Sequence, residues 1–249
     1  MTARTDLAWG WTVAALTSAA RADIGAFTSD PPRRCSTLWR WVAAVEVVAC
    51  AVAVVLDLAL PSLVILLVMV VSLLVRREHL STLGMRRLDH PWRTAGIVLA
   101  LSVGWTVAVI ALFMPVLEHL IGEQQDVSAF VSLEGDVARL AVLLALSWTL
   151  AAVGEELAFR GFVLTRIADA IGPGALGVVV AVLVSSALFA LIHTEQGTVG
   201  VVLTFLDALF FAVLRLHYRS LWAAVLAHGF NNTIGMTAYF LVGPIYALW

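Results

Sequence analysis

The sequence predicts an all-α fold, a membrane bundle of about seven transmembrane helices, and three observations carry that expectation. Of 249 residues, 61% are apolar and 13% charged, where ordinary soluble domains carry roughly a quarter charged. Mean hydropathy is +0.97. Apolar runs long enough to cross a bilayer recur along the chain, and the arginines fall on alternate connections between them.

The runs lie at residues 41–56, 58–75, 94–117, 140–154, 174–192, 198–214 and 221–241. The first two are separated only by 57–61, which reads as a tight helical hairpin. The fourth should continue as helix to about residue 167, because 155–167 has no proline and good helix formers. A weaker apolar stretch, 7–20, is expected to lie in the interface, or alternatively to resemble a signal segment. The loops are too short to fold alone, so the chain reads as one membrane domain, 1–249. Residues 1–40 form its cytoplasmic or interfacial N-terminal segment, and 137–241 its catalytic helices.

All 15 basic residues are arginine and the net charge is -2. Arg4, Arg21, Arg33, Arg34 and Arg40 precede the first run; Arg76, Arg77, Arg86, Arg87 and Arg93 follow the second; Arg160 and Arg166 follow the fourth; Arg215 and Arg219 follow the sixth. The connection at 118–136 holds Glu118, Glu123, Asp126, Glu134 and Asp136 with no arginine. Arg139 alone breaks the alternation. The positive-inside rule therefore predicts a cytoplasmic N-terminus, and the chain is expected to be a multi-pass protein of a bacterial plasma membrane. Residues 80–92 read as a cytoplasmic amphipathic stretch. No nucleic-acid partner is implied. Cys35 and Cys50 are the only cysteines, which supports neither a disulfide framework nor a cysteine metal site.

Ionisable residues within apolar runs are costly and need a partner or a use. Here they are Glu46, Glu155, Glu156, Arg160, His193, Asp207 and His228, joined by the amides Asn231 and Asn232. Glu156 and Arg160 are four apart and share a helical face, while Glu155 is rotated by about 100°. One carboxylate can be neutralised locally and the other aimed elsewhere. Phe189 and His193 close the fifth run, and His228 and Asn232 again stand four apart in the last. Each cluster alone has a plainer reading, a solvated helix end for the glutamates and a packed core histidine for His193. Three on separate spans are harder to dismiss. Glu46 is expected to snorkel or sit near a helix end, and Asp207 to pair with an arginine or histidine. The sequence has no H-E-x-x-H, G-x-S-x-G or G-x-G-D motif, so the zincin, serine and aspartyl intramembrane chemistries lack their parts.

Glu155-Glu156-x-x-x-Arg160, Phe189-x-x-x-His193 and His228-x-x-x-Asn232 in this order resemble the CAAX-protease and bacteriocin-processing, or abortive-infection, family of intramembrane glutamic endopeptidases. Residues 82–87, Thr-Leu-Gly-Met-Arg-Arg, also look like that family's approach to its next span. The resemblance implies a peptidase acting on a membrane-bound or membrane-proximal peptide, without metal or other cofactor. It implies that Glu155, as general base, and His193 activate a water, that Glu156 and Arg160 position Glu155, and that His228 and Asn232 stabilise the oxyanion. Competing readings are a metal-dependent membrane hydrolase using Glu155, His193 and His228 as ligands, and a non-catalytic immunity or scaffolding protein. A proton-coupled transporter is disfavoured by the lack of paired broken helices.

One geometrical demand follows. Counted from a turn near 171–173, Glu155 lies about 16 residues away and His193 about 21, roughly 24 and 30 Å at helical rise, whereas His228 is about nine residues past Arg219. For the three to meet, the fourth helix must project beyond the lipid, or the sixth span must be short or displaced.

Overall fold

The computed structural model describes residues 36–58 and 60–244. The stretch 7–20, the first four arginines and Cys35 lie outside them. The described residues form α1 (Thr37–Val55), α2 (Pro61–Arg76), α3 (Pro91–Ile121), α4 (Val137–Ile171), α5 (Ala175–Leu191), α6 (Gly197–Tyr218) and α7 (Leu221–Val242). There is no strand among them. Of the seven spans expected, α1, α3, α4 and α6 are both long and apolar enough to cross a membrane, while α2 and α5 are apolar but shorter, at 16 and 17 residues. The last, α7, has 22 residues and is diluted by His228, Asn231 and Asn232.

Local chemistry places the helix ends where the sequence puts them. Pro61 and Pro91 open α2 and α3, positions where a missing N–H costs nothing. Asp136 caps α4 by accepting from the Arg139 N–H at 2.9 Å, and Ser220 caps α7. As the expected hairpin requires, α1 ends at Val55 and α2 opens at Pro61, with Asp57 in the left-handed region. Residues 80–92 contain one short 3-10 turn, Leu80–Leu83, and the first residues of α3, with Leu83 fully buried and Trp92 89% exposed.

Lipid accounts for what lies outside. On α1 the exposed side chains Trp41, Val45, Val48, Val52 and Val55 follow the three- and four-residue helical spacing, and Leu63, Leu67, Val70 and Leu74 do the same on α2. Contiguous apolar faces of this size would be untenable in water. Their opposite faces close the core: Cys50, Val54, Ile65 and Met69 pack on Phe159, Phe162 and Val163 of α4 and on Phe189 of α5. Cys50 is a buried free thiol.

Charges on α1, at the end of α2 and at the end of α4 pair with one another. Glu46 does not snorkel: it binds Arg76 at 2.8 Å and Arg166 at 3.3 Å. Arg166, 1% exposed, also binds Glu78 at 2.7 Å and Asp169 at 3.0 Å. An acid about two and a half turns into α1 is met there by guanidiniums from α2 and α4, and its unpaired burial would cost on the order of several kcal/mol. Arg40 reaches across to the Ala170 and Ile171 carbonyls at the end of α4. The start of α1 and the ends of α2 and α4 are thereby gathered at one end of the molecule.

Candidate active site

The site is built on α4, whose residues Ser147–Val163 wind with i→i+5 hydrogen bonds. Such wide turns are rare and concentrate at functional sites. Glu156 and Arg160 still share a face, and their ion pair is 2.9 Å long with both side chains fully buried. The guanidinium also lies 4.0 Å over the Phe189 ring and 5.4 Å from that of Phe211. Two aromatic faces thus supplement a single carboxylate in solvating a buried cation.

Glu156 has a second partner that the spacing did not disclose. Its Oε1 accepts from His228 Nδ1 at 2.9 Å as well as from Arg160. A carboxylate only accepts, so Nδ1 carries a proton and the Nε2 edge is left for other chemistry. That edge lies 4.0 Å from Glu155 Oε2. The His228 ring is stacked on Phe211 at 5.0 Å and edge-on to Phe189 at 5.8 Å, so its plane is fixed on both sides. His193 Nδ1 donates to the Phe189 carbonyl at 3.0 Å, which also presents Nε2 as its free nitrogen. Asn232 donates one amide N–H to Ser147 Oγ at 3.0 Å and keeps the other.

The depth problem is solved by register and by a displaced turn. Phe159 and Phe189 meet edge to face at 5.3 Å, and Ser185 Oγ donates to the Phe159 carbonyl at 2.8 Å. These contacts set antiparallel α4 against α5. Glu155 precedes Phe159 by one turn and His193 follows Phe189 by one turn, so both arrive at the same level. The α6–α7 turn is drawn inward: Ser220 Oγ donates to the Arg86 carbonyl at 2.6 Å, the Leu221 N–H to the Gly84 carbonyl at 2.7 Å, and Arg215 to Leu83 O and Thr165 Oγ1. Gly84, at φ 90°, makes this close approach possible. With the turn level with Thr165, the distance along α7 to His228 matches that along α4 back to Glu155. The helix α4 is itself 35 residues long.

A cavity of about 280 Å³ opens beside these groups. His193, His228 and Asn232 line it, together with Asn231, Asp207, Trp105, Phe189, Phe211 and Tyr239. Glu155 stands just outside that lining, 19% exposed and reached through His228. Glu156 and Arg160 are buried behind the wall. Glu155 Oε2 and Asn231 Oδ1 are buried without a hydrogen-bond partner among the described residues, which marks them as places for a proton donor from substrate or solvent. Asp207 differs from expectation: its hydrogen bond comes from the Trp105 indole at 2.5 Å and not from an arginine or histidine. Burial of Trp105 against Phe113 and Phe210 puts its N–H within reach first. Sequence reasoning also missed Ser147, for which its place on the Glu155 helix, two turns earlier, was the available signal. Among the described residues no group of three His, Cys, Asp or Glu side chains is arranged to hold a metal ion.

Comparison with known proteins bears on the same helices. Residues 137–234 match the family model described as Rce1-like, type II CAAX prenyl endopeptidase. The match supports a likeness of this segment to the CAAX protease family. The matched Rce1-like segment runs from the start of α4 into α7 and so contains Glu155, His193, His228 and Asn232. No curated protein and no solved structure matches the chain.

The Rce1-like segment also makes a stability prediction. A Cβ on Gly229 would stand 2.5 Å from the Trp148 ring, and Trp148 is held by Thr233 Oγ1 at 3.0 Å and by the edge of Phe230. Gly229→Ala must displace the indole, at a cost of about 1–3 kcal/mol. Thermal unfolding in detergent should show a clearly lowered midpoint.

Proposed function

We propose that the chain is an intramembrane endopeptidase that hydrolyses a peptide bond of a membrane-associated substrate with a water activated by Glu155 and His193. CAAX-type proteolysis in general is what the Rce1-like match implies; the division of roles is our reading. The observation that carries it is the chain Arg160–Glu156–His228, with Glu155 at the far nitrogen of the same imidazole.

Hydrolysis needs a base for the water and donors where negative charge develops on the carbonyl oxygen. Glu155 Oε2, with no fixed partner, is the group free to take the proton. His193 Nε2, whose orientation the Phe189 carbonyl sets, holds the same water. His228 Nε2 and the second Asn232 N–H are the donors. Because Nδ1 of His228 already donates to Glu156, an Nε2–H makes this ring an imidazolium, balanced by Glu155, Glu156 and Asp207 around it. Arg160 keeps Glu156 anionic and in place. After attack, the proton on Glu155 passes to the departing amine, the C–N bond breaks, and the products are a carboxylic acid, which then gives up its proton, and an amine.

The test is a comparison of peptide N-termini in membranes from cells expressing the wild type or Glu155→Gln. New N-termini confined to the wild type support peptidase action, and identical sets count against it. The chain is further proposed to sit in a bacterial plasma membrane with its arginine-rich end in the cytoplasm. Impermeant thiol reagents applied from outside should then modify Gln124→Cys and spare Met85→Cys; the reverse pattern would invert the orientation.

A further inference from the structure

We infer that Asp207 and Asn231 form a subsite of the cavity that selects a lysine side chain of the substrate, within about two residues of the bond that is cut. The inference rests on the peptidase reading for there being a substrate, and deepens it by naming the class of residue bound.

Asp207 is a carboxylate to which the hydrolysis gives no step of its own. Helix α6 turns Thr204, Asp207 and Phe211 to the cavity, residues three and four apart that share one helical face. Among the described residues the lining holds no other carboxylate and no guanidinium. The Trp105 indole N–H donates to Asp207 Oδ1, and that indole is itself fixed by stacking on Phe210 and by Phe113. Oδ2 has no hydrogen bond with the described residues, so an anchored carboxylate presents one free oxygen to the cavity. Asn231 adds a second acceptor to the same lining, because its Oδ1 is buried and unpartnered. Buried acceptors without donors call for a donor-rich group.

Charge leads to the same group. Asp207 is within electrostatic range of His193, His228 and Arg160. With His228 as an imidazolium, the carboxylates Glu155, Glu156 and Asp207 are met only by His228 and Arg160, and a negative charge is left over. A cation carried by the substrate offsets it in a site where an uncompensated charge is costly. That balance persists through the reaction, because Glu155 gives up its charge as the oxyanion gains one.

Geometry favours lysine over arginine. A guanidinium binds a carboxylate best through two parallel hydrogen bonds, whereas an ammonium is a point charge with three donors. With Oδ1 held by Trp105, Asp207 has no second oxygen to give, and separate acceptors on α6 and α7 suit the ammonium. Phe211 stacks on His228 at 5.0 Å and follows Asp207 by four residues, roughly 6 Å of helix. An extended chain covers that distance in about two residues, which places the lysine beside the bond that is cut.

The experiment measures the binding of three N-acetylated tripeptide amides that differ only in a central lysine, arginine or norleucine, by calorimetric titration of the full chain in detergent. Glu155→Gln is the background, so no turnover is needed. The lysine peptide should bind on the order of tenfold tighter than the norleucine peptide, as a hydrogen bond to a charged group implies, and Asp207→Asn should abolish most of that ratio. Because a ratio is read, a general loss of affinity in the variant does not imitate the result. Trp105→Phe keeps the carboxylate and frees Oδ1, so the arginine peptide should gain on the lysine peptide, and this reading stands even where Asp207→Asn does not fold. Equal binding of the lysine and norleucine peptides, or no binding of the lysine peptide, overturns the inference. So does a lysine preference unchanged in folded Asp207→Asn, or an arginine-to-lysine ratio unchanged in folded Trp105→Phe. A lysine preference in binding with no cleavage by the wild type would sink the peptidase reading and leave the subsite; cleavage without the preference would do the reverse.

Discussion

Glu155→Gln is expected to reduce cleavage by about 10²–10⁴-fold, the range typical of a general base, while leaving the thermal midpoint in detergent close to wild type. Among the described residues the carboxylate has no ion pair with an arginine; it is 19% exposed and lies 4.0 Å from His228 Nε2. An amide of the same shape keeps the packing and removes basicity. Because only a transition-state interaction is lost, kcat should fall and KM should change little. Paired measurement of turnover and unfolding on purified protein checks both halves. A large fall in midpoint would reassign Glu155 to a structural role.

The adjacent carboxylate should fail differently. Glu156 is fully buried and holds two groups through one oxygen, Arg160 and His228. Glu156→Gln strands a guanidinium in the core, a loss that reaches about 3–5 kcal/mol for buried pairs. It also frees the Nδ1 edge of His228. The variant should lose stability and activity together. Adding Arg160→Gln removes the stranded charge and should recover part of the stability without recovering turnover, since His228 stays unanchored. Thermal unfolding and cleavage on wild type and the Glu155→Gln, Glu156→Gln and double variants separate the two carboxylates. Equal stability losses at Glu155 and Glu156, with no rescue in the double variant, would show that their work is not divided in this way.

What could be read from the chain in advance follows the reach of local geometry. The Glu156–Arg160 pair is an i,i+4 relation, and helical spacing alone exposes it. The long α4 and the α1–α2 hairpin were likewise legible, from helix formers after Gly154 and a polar turn at Asp57. Contacts between distant elements were not. His228 meets Glu156 across 72 residues, and nothing in either motif says which of the two glutamates it binds. Asp207 shows the same limit: an intramembrane carboxylate announces that it needs a partner, but an indole on α3 supplies the hydrogen bond. Glu46 was expected to snorkel or sit near a helix end, whereas Arg76 and Arg166, which meet it inside the bundle, come from α2 and α4. How the three motifs meet was left open between two arrangements for a related reason. Counting residues to a turn assumes that turns lie at the membrane surface, and the one after α6 is pulled inward by Arg215, Ser220 and Leu221.

The central claim is that this constellation hydrolyses a peptide bond with water, and mass spectrometry of a cleaved product tests it most directly. The purified wild type, reconstituted in lipid, would be given a segment identified from the membrane comparison, in oxygen-18-labelled water. The account predicts that the label appears in the newly formed carboxylate with the wild type, and that folded Glu155→Gln forms no labelled product. Equal labelled cleavage by both proteins, or none by either when both are folded, would contradict it.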